Sequence, residues 1–176
     1  IVPVDLGFIV FNEKTYPNLI NFFKELKIDY EKSNMSLAVS IKNSKLEYSG
    51  KSLGSLFCNK SNFLNFKFLK LILDIMKFYK LAPNLLTKEN ENLTLGNYLE
   101  KNKISEDLKN YHLIPMVAAI WSMPFTKAQN MPLNLFVNFF VNHGLFKLKN
   151  RPQWFTVSGR SRKYVSKVLP HISGEY

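Results

Sequence analysis

The chain has 176 residues, a formal net charge of +11 and a hydrophobic content of 46%. This length suits one ordinary domain or two small lobes, and so high an apolar content excludes a disordered chain. The lone cysteine, Cys58, excludes an internal disulfide and favours a cytoplasmic protein. The lysines are spread along the chain and accompany many asparagines, so their charge indicates no nucleic-acid partner.

The first residues predict extended chain rather than a leader sequence. Val2, Val4 and residues 8–11 are β-branched and aromatic, which is typical of a strand with a glycine-containing bend. Ile1 is not followed by the basic region or cleavage site of a signal peptide. No run reaches the roughly 18 apolar residues that a membrane span needs. A chain that opens inside a strand, without an initiator methionine, indicates a processed or truncated start.

A helix is predicted next, with Thr15 as its N-cap and Pro17 in its first turn. Apolar residues recur along it at helical spacing, so one face of the helix should be buried. That predicted face consists of Leu19, Phe22, Phe23 and Leu26.

Residues 35–82 predict a β-hairpin followed by the longest helix of the chain. The hairpin covers residues 35–49, which alternate between apolar and polar side chains around an Asn43-Ser44 turn. The helix covers residues 62–82 and is apolar apart from a narrow polar stripe. Such a helix is either buried between two lobes or lies in a membrane interface with its lysines at the headgroups. The stripe consists of Lys67, Lys70, Asp74 and Lys77, and Pro83 ends the helix.

The remaining residues predict further helices and one strand. Thr94 and Ser105 are suitable N-caps, and Gly144 is a suitable helix end. β-branched and aromatic residues favour a strand over residues 153–157. The predicted helices cover residues 93–102, 105–111, 115–122, 133–143 and 160–169.

The residues alone predict no self-contained active site. The sequence has no GxGxxG or GxxxxGK[ST] loop, no GxSxG turn and no Cys/His cluster with metal-ligand spacing, so no metal is expected. His112 and His143 are isolated in the sequence and fit helix ends or core positions. On residue type alone Trp121 and Trp154 fit a core better than a cofactor contact. The pattern favours a mostly helical domain with a small sheet.

The order of longer segments nevertheless resembles one protein family. The segments are VDLGFIVFNEKTYPNLINFFKELKI, MSLAVS, LEYSG, LTLGNYL, YHLIPMVAAIWSMP, FFVNHGL and RPQWFTVSGRSRKYV. In this order they resemble bacterial FAD-dependent oxidoreductases of the flavin-containing amine oxidase superfamily. The resemblance extends from about Val4 to Leu169, and VDLGFIVFNEKTYPNL and AAIWSMP are its most specific parts.

This resemblance implies that the whole protein has an α/β fold. The part formed by these residues alone would be α+β. They would form part of an FAD/NAD(P)-binding Rossmann-like domain and a mostly helical substrate-binding lobe that contains a β-hairpin. Residues 1–14 would be a strand and flavin-proximal segment, 15–150 the substrate-binding lobe, and 151–176 the return into the FAD-binding domain. The chain would be a central portion, with the GxGxxG unit before it and a closing segment after it.

The resemblance also implies a flavin-binding segment near the start of the chain. Asp5 and Gly7 match the family's Asp-x-Gly at a strand end. A glycine there lets the backbone approach a flat ring without a Cβ in the way. Phe8, Ile9 and Asn12 would then lie near the isoalloxazine ring of FAD.

Three more positions follow from the same comparison. Trp121, in the segment IWSMP, would lie near the substrate cavity, and Trp154 would begin the strand that leads back to the FAD domain. The family has a second glycine in its TVxGGSxxYV segment, where this chain has Arg160. That difference puts close packing at the turn in doubt.

The implied activity is hydride transfer from a C–H or C–N bond of an organic substrate to FAD. The apolar helix and the aromatic lobe favour a hydrophobic substrate, such as an acyl chain or a polyene, and no catalytic residue is implied. A different interpretation is a basic helical module that works alone and binds anionic membrane surfaces through residues 62–82. Peripheral membrane association is compatible with both interpretations.

Overall fold

The computed structural model describes residues 4–5, 7–41 and 46–172. The chain divides into two compact units, one formed by Ile1–Met35 with Asn150–Tyr176 and the other by Ser36–Lys149. The described residues are mixed helix and strand with two small antiparallel sheets, which confirms the α+β class. Within these residues, no helix has the length and apolar character to cross a membrane.

The first unit is a two-stranded sheet with a helix from each end of the chain. Its elements are α1 (Pro17–Glu25), β1 (Tyr30–Ser33), β4 (Trp154–Val157) and α9 (Ser161–Val168). β1 and β4 are antiparallel, and Tyr30 lies opposite Val157. Phe11 bridges Phe155 through two backbone hydrogen bonds of 2.8 and 3.0 Å. Since the backbone groups of Phe155 are used by Phe11, β4 lies between Phe11 and β1.

The strand predicted near the start of the chain is wrong for the residues that the structure describes. Val4, Asp5 and residues 7–10 have no regular secondary structure, and Phe11 alone reaches a bridge. Val2 lies outside the described residues. The residue types favour a strand, but a strand needs a neighbouring backbone, and β4 supplies one for Phe11 only.

Helix α1 begins one residue later than predicted, and three of the four residues of its predicted face meet the core: Phe23 is buried, and Leu19 and Leu26 pack against the core. Its N-cap is Tyr16, which makes no side-chain cap. Ile20 and Phe23 are buried, whereas Phe22 is 37% exposed, so the predicted face was only partly correct. The core of this unit consists of Phe11, Ile20, Phe23, Ile28 and Val157.

The second unit contains the predicted hairpin, β2 (Ala38–Ile41) and β3 (Leu46–Ser49). The strands are antiparallel, and their register places Val39 opposite Tyr48. Val39, Leu46 and Tyr48 are buried on one face, as alternation predicts. The predicted Asn43-Ser44 turn lies outside the described residues.

The rest of the second unit is helical, and its caps explain where the helices begin. Asn65 begins the longest helix because its Oδ1 accepts a hydrogen bond from the backbone N–H of Phe68 (3.2 Å). Thr94 and Ser105 act as caps as predicted. The helices are α2 (Leu53–Leu56), α3 (Phe66–Leu81), α4 (Leu95–Lys101), α5 (Glu106–Leu108), α6 (Ile114–Trp121), α7 (Phe125–Ala128) and α8 (Leu133–Asn142).

The predicted break between residues 111 and 115 is absent. A π-helical turn, Lys109–Leu113, joins α5 directly to α6. Pro115 has no backbone N–H, so the carbonyl group of Tyr111 loses its usual helical partner. That carbonyl accepts a hydrogen bond from the Tyr48 hydroxyl (2.8 Å). The hairpin therefore satisfies a backbone group that the proline leaves open.

Candidate functional site

Asp5 and residues 7–11 run alongside β4 and the start of α9 in the first unit. The Oδ1 atom of Asp5 accepts a hydrogen bond from the backbone N–H of Ser161 (3.1 Å). The carbonyl oxygen of Ile9 accepts one from the Thr156 hydroxyl (2.8 Å). The contacts run antiparallel, since they continue the Phe11–Phe155 bridge. Asp5, Ile9 and Phe11 therefore lie beside Ser161, Thr156 and Phe155 in turn.

Gly7, Phe8 and Ile9, predicted to lie near a flavin, form an open and partly apolar surface. A Cβ atom added to Gly7 would meet no atom within 4 Å. Phe8 and Ile9 are 40% and 60% exposed, and the Phe8 ring lies 5.7 Å from the Tyr164 ring. A flat apolar group could approach the backbone at Gly7 without a steric clash.

Asn12, the fourth predicted flavin contact, is fully buried. Its Oδ1 accepts a hydrogen bond from the backbone N–H of Thr15 (2.9 Å), and its carbonyl oxygen accepts one from Tyr16 (3.2 Å). Asn12 therefore shapes the turn that precedes α1. Its Nδ2 atom has no hydrogen-bond partner among the described residues.

The turn that joins β4 to α9 has two successive residues with positive φ. Gly159 has φ of 74°, and Arg160 has φ of 74° and ψ of 170°. Glycine is nearly the sole residue that adopts this last combination without strain. The backbone at Arg160 thus has a conformation that suits a glycine.

The two tryptophans predicted to contact substrate belong to different units. Trp121 ends α6 and is partly exposed, and its ring lies 4.6 Å from that of Phe139. Trp154 begins β4 and is buried at 9% exposure. Neither unit therefore contains a site that both tryptophans line.

A buried chain of polar side chains in the second unit was not predicted. His112 contacts the Tyr48 hydroxyl through Nδ1 (3.0 Å) and the Tyr79 hydroxyl through Nε2 (2.8 Å). Since Tyr48 donates its one proton to the carbonyl of Tyr111, Nδ1 of His112 must carry a proton and donate. In the neutral ring Nε2 then accepts from Tyr79. His112 is therefore a hydrogen-bonded core histidine, as its sequence context favoured.

The environment of Tyr48 keeps its hydroxyl neutral. Burial raises the pKa of Tyr48, and the neighbouring Tyr79 phenol raises that pKa further. The second histidine, His143, lies at the end of α8, and its Nδ1 contacts the carbonyl oxygen of Phe139 (2.8 Å). Both histidines are thus used within the structure, in line with the prediction for them.

A small cavity of about 210 Å³ opens beside the buried chain. It is lined by Leu46, Asn65, Lys67, Phe68, Leu71, Asp107 and Tyr111. Its volume lies below the range of about 300–1,000 Å³ that is typical of ligand pockets.

Among the described residues no three His, Cys, Asp or Glu side chains are grouped to hold a metal ion.

Sequence reasoning missed Thr156 and Tyr164 as neighbours of the predicted flavin segment. Both belong to the segment RPQWFTVSGRSRKYV, so the resemblance carried a signal for them. No protein-family model matches the chain, and no curated protein matches it either.

Proposed function

We propose that these residues serve in an FAD-dependent oxidoreductase related to the flavin-containing amine oxidases. The proposal rests first on the ordered segments from Val4 to Leu169 that resemble this family. Within the proposal, the first unit is part of a Rossmann-like FAD domain and the second unit is the substrate-binding lobe.

The observation that carries this proposal is the discontinuous first unit. It is built from Ile1–Met35 and Asn150–Tyr176, and a continuous second unit, Ser36–Lys149, is inserted between them. A substrate lobe inserted into a cofactor domain is the organisation that the resemblance implies. The hydrogen bond that Asp5 accepts from the backbone N–H of Ser161, beside the Gly159 turn, supports it as well.

The glycine-like backbone of Arg160 is a second, independent support. Sequence alone would treat Arg160 as a departure from the family pattern. The φ of 74° and ψ of 170° at Arg160 suit a glycine, and this supports a backbone like that of the family at this position. An unrelated turn has no reason to place a strained arginine at this position.

The residues present fit the ring of FAD at one segment. Gly7 leaves room for a flat group, and the exposed side chains of Phe8 and Ile9 can contact it and exclude water. FAD, when bound, accepts a hydride from a C–H or C–N bond. The sequence contains no GxGxxG loop, so residues outside this chain would hold the pyrophosphate. A hydrophobic substrate remains part of the proposal.

The first test is the flavin content of the natural protein that contains these residues. We expect a yellow protein whose coding sequence before Ile1 encodes a strand, a GxGxxG turn and a helix. Anaerobic reduction of the flavin by lipid extracts, but not by small polar amines, would support a hydrophobic substrate. A natural protein without flavin contradicts the proposal.

A matched pair of glycine variants tests the proposed ring contact. An added Cβ meets no atom within 4 Å at Gly7 or at Gly50, so the first carbon of a new side chain fits at both positions. We expect Gly7→Leu to lower flavin occupancy and to shift the flavin absorption spectrum. Gly50→Leu, in the second unit, should change neither. Equal flavin occupancy in the two variants would count against Gly7 as a ring contact.

A further inference from the structure

The outward side of α3 is both apolar and basic. Phe66 and Leu73 are 87% and 56% exposed, and Leu64, in the preceding 3₁₀ turn, is 86% exposed. Exposed lysines alternate with them along the helix. We call this surface the α3 face, and it consists of Phe63, Leu64, Phe66, Leu73, Met76 and Leu81 together with Lys60, Lys70, Lys77 and Lys80.

The apolar residues of the α3 face do not belong to the core of the second unit. Phe68, Leu71, Ile75, Phe78 and Tyr79 already form the buried side of the helix. Phe66, Lys70, Leu73, Lys77 and Lys80 follow one another at spacings of four, three, four and three residues, which places them on the opposite side. Large apolar side chains grouped on an exposed surface mark an interaction site.

The charge of the α3 face is positive and uncompensated. In the described part of the chain, no carboxylate forms an ion pair with its four lysines. Asp74, the one acidic residue of α3, is half-buried, and its Oδ2 accepts a hydrogen bond from the Ser105 hydroxyl (2.9 Å). A partner for this face must therefore be anionic as well as apolar.

We propose that the α3 face docks on an anionic lipid surface. The lysines would contact the headgroups, and the Leu64–Phe66 end would enter the acyl boundary, as in helices that lie in the membrane interface. A second copy of the chain fits less well, because a symmetric contact would bring two sets of four lysines together. Nucleic acid would use the lysines but would leave the exposed Leu and Met side chains in water.

This inference does not rest on the proposed flavin activity, and its test has no flavin readout. The whole 176-residue chain is mixed with phosphatidylcholine vesicles that contain or lack phosphatidylserine, and bound protein is measured by sedimentation. We expect binding to the anionic vesicles alone, and weaker binding as salt is raised. Equal binding to neutral vesicles would overturn the proposal.

Two double variants with the same charge change locate the binding surface. Lys70→Gln with Lys77→Gln removes two charges from the α3 face. Lys101→Gln with Lys127→Gln removes two exposed charges from α4 and α7. Since a lysine near an anionic surface contributes about fivefold to partitioning, we expect the first pair to weaken binding about 25-fold. Equal weakening by both pairs would mean that net charge, and not this face, drives binding.

A probe at Phe66 tests whether the apolar end enters the lipid. Because Cys58 is the lone cysteine, Cys58→Ser with Phe66→Cys gives one site for an environment-sensitive fluorophore. A blue shift on anionic vesicles is expected there, and no shift for a probe placed by Lys101→Cys in the same background. A water-like spectrum at position 66 on vesicles, or a blue shift caused by self-association or by RNA instead, would overturn the proposal.

Discussion

The hydrogen-bonded chain of Tyr48, His112 and Tyr79 allows a sharp test of how the second unit is stabilised. Tyr48→Phe removes a hydroxyl that bonds the Tyr111 carbonyl at 2.8 Å and contacts Nδ1 of His112 at 3.0 Å. Tyr79→Phe removes the donor 2.8 Å from Nε2. Leaving a buried polar group without its partner costs about 1–3 kcal/mol. We expect each variant to lose about that much free energy of unfolding.

The double variant tests whether the chain acts as a unit. Hydrogen bonds in a buried chain polarise one another, so each should be stronger in the presence of the other. We expect the double variant to cost less than the sum of the single variants by about 0.5–1 kcal/mol. Tyr111→Phe is the control, because Tyr111 is only half-buried and a hydroxyl lost there should cost less than about 0.5 kcal/mol.

The assay is urea unfolding followed by tryptophan fluorescence in a Trp154→Phe background. Trp121 then reports on the second unit, which also contains all three members of the chain. Strict additivity of the two variants, or single costs no larger than that of Tyr111→Phe, would refute this account of the buried chain.

Three further outcomes follow from the structure. Burial raises the pKa of Tyr48 in the folded state above its ordinary value of about 10, so the protonated hydroxyl contributes fully to folding stability below that pH, and this contribution falls as the pH rises further. In urea titrations Tyr48→Phe should therefore lose less stability than the parent chain between neutral and strongly alkaline pH. An equal loss would contradict the assignment. Arg160→Gly should raise the free energy of unfolding by about 1–3 kcal/mol because φ of 74° with ψ of 170° suits glycine. The control Arg162→Gly, inside α9, should lower it by about 1 kcal/mol. If Arg160→Gly is destabilising, the contacts of the arginine side chain outweigh the backbone strain. Gly96→Ala should lower the melting temperature because its Cβ would lie 3.0 Å from the carbonyl oxygen of Gln129. Gly54→Ala should not lower it, because its Cβ would lie 3.8 Å from the Ser52 hydroxyl. Equal melting temperatures would mean that the Gln129 backbone moves aside readily.

The elements that local residue patterns predicted are the ones whose partners lie nearby in the sequence. The hairpin of β2 and β3 follows from alternation over a dozen residues, and α3 and α8 follow from helical spacing. β1 has the sequence YEKS, which carries no apolar pattern. It is a strand because β4, far along the chain, supplies the backbone partners.

The candidate site follows the same rule. Gly7 is exposed and has open space around it, in agreement with the glycine-containing bend that the sequence predicts. The role of Asn12 depends on Thr15 and Tyr16 in a turn that no propensity specifies. The buried chain around His112 unites side chains from three separate segments, so no local spacing could have predicted it.

The discontinuous first unit also has a consequence for synthesis on the ribosome. β1 is complete at Ser33, but its partner begins at Trp154, so about 120 residues must be made in between, which takes roughly 6–24 s at about 5–20 residues per second. Throughout that interval the second unit is itself being made, and β1 has an unpaired edge. Neighbouring nascent chains present the same edge, and they can pair with one another before β4 emerges. Slow translation or crowded polysomes should therefore favour aggregation of this protein, and a holdase chaperone that covers residues 30–33 should oppose it.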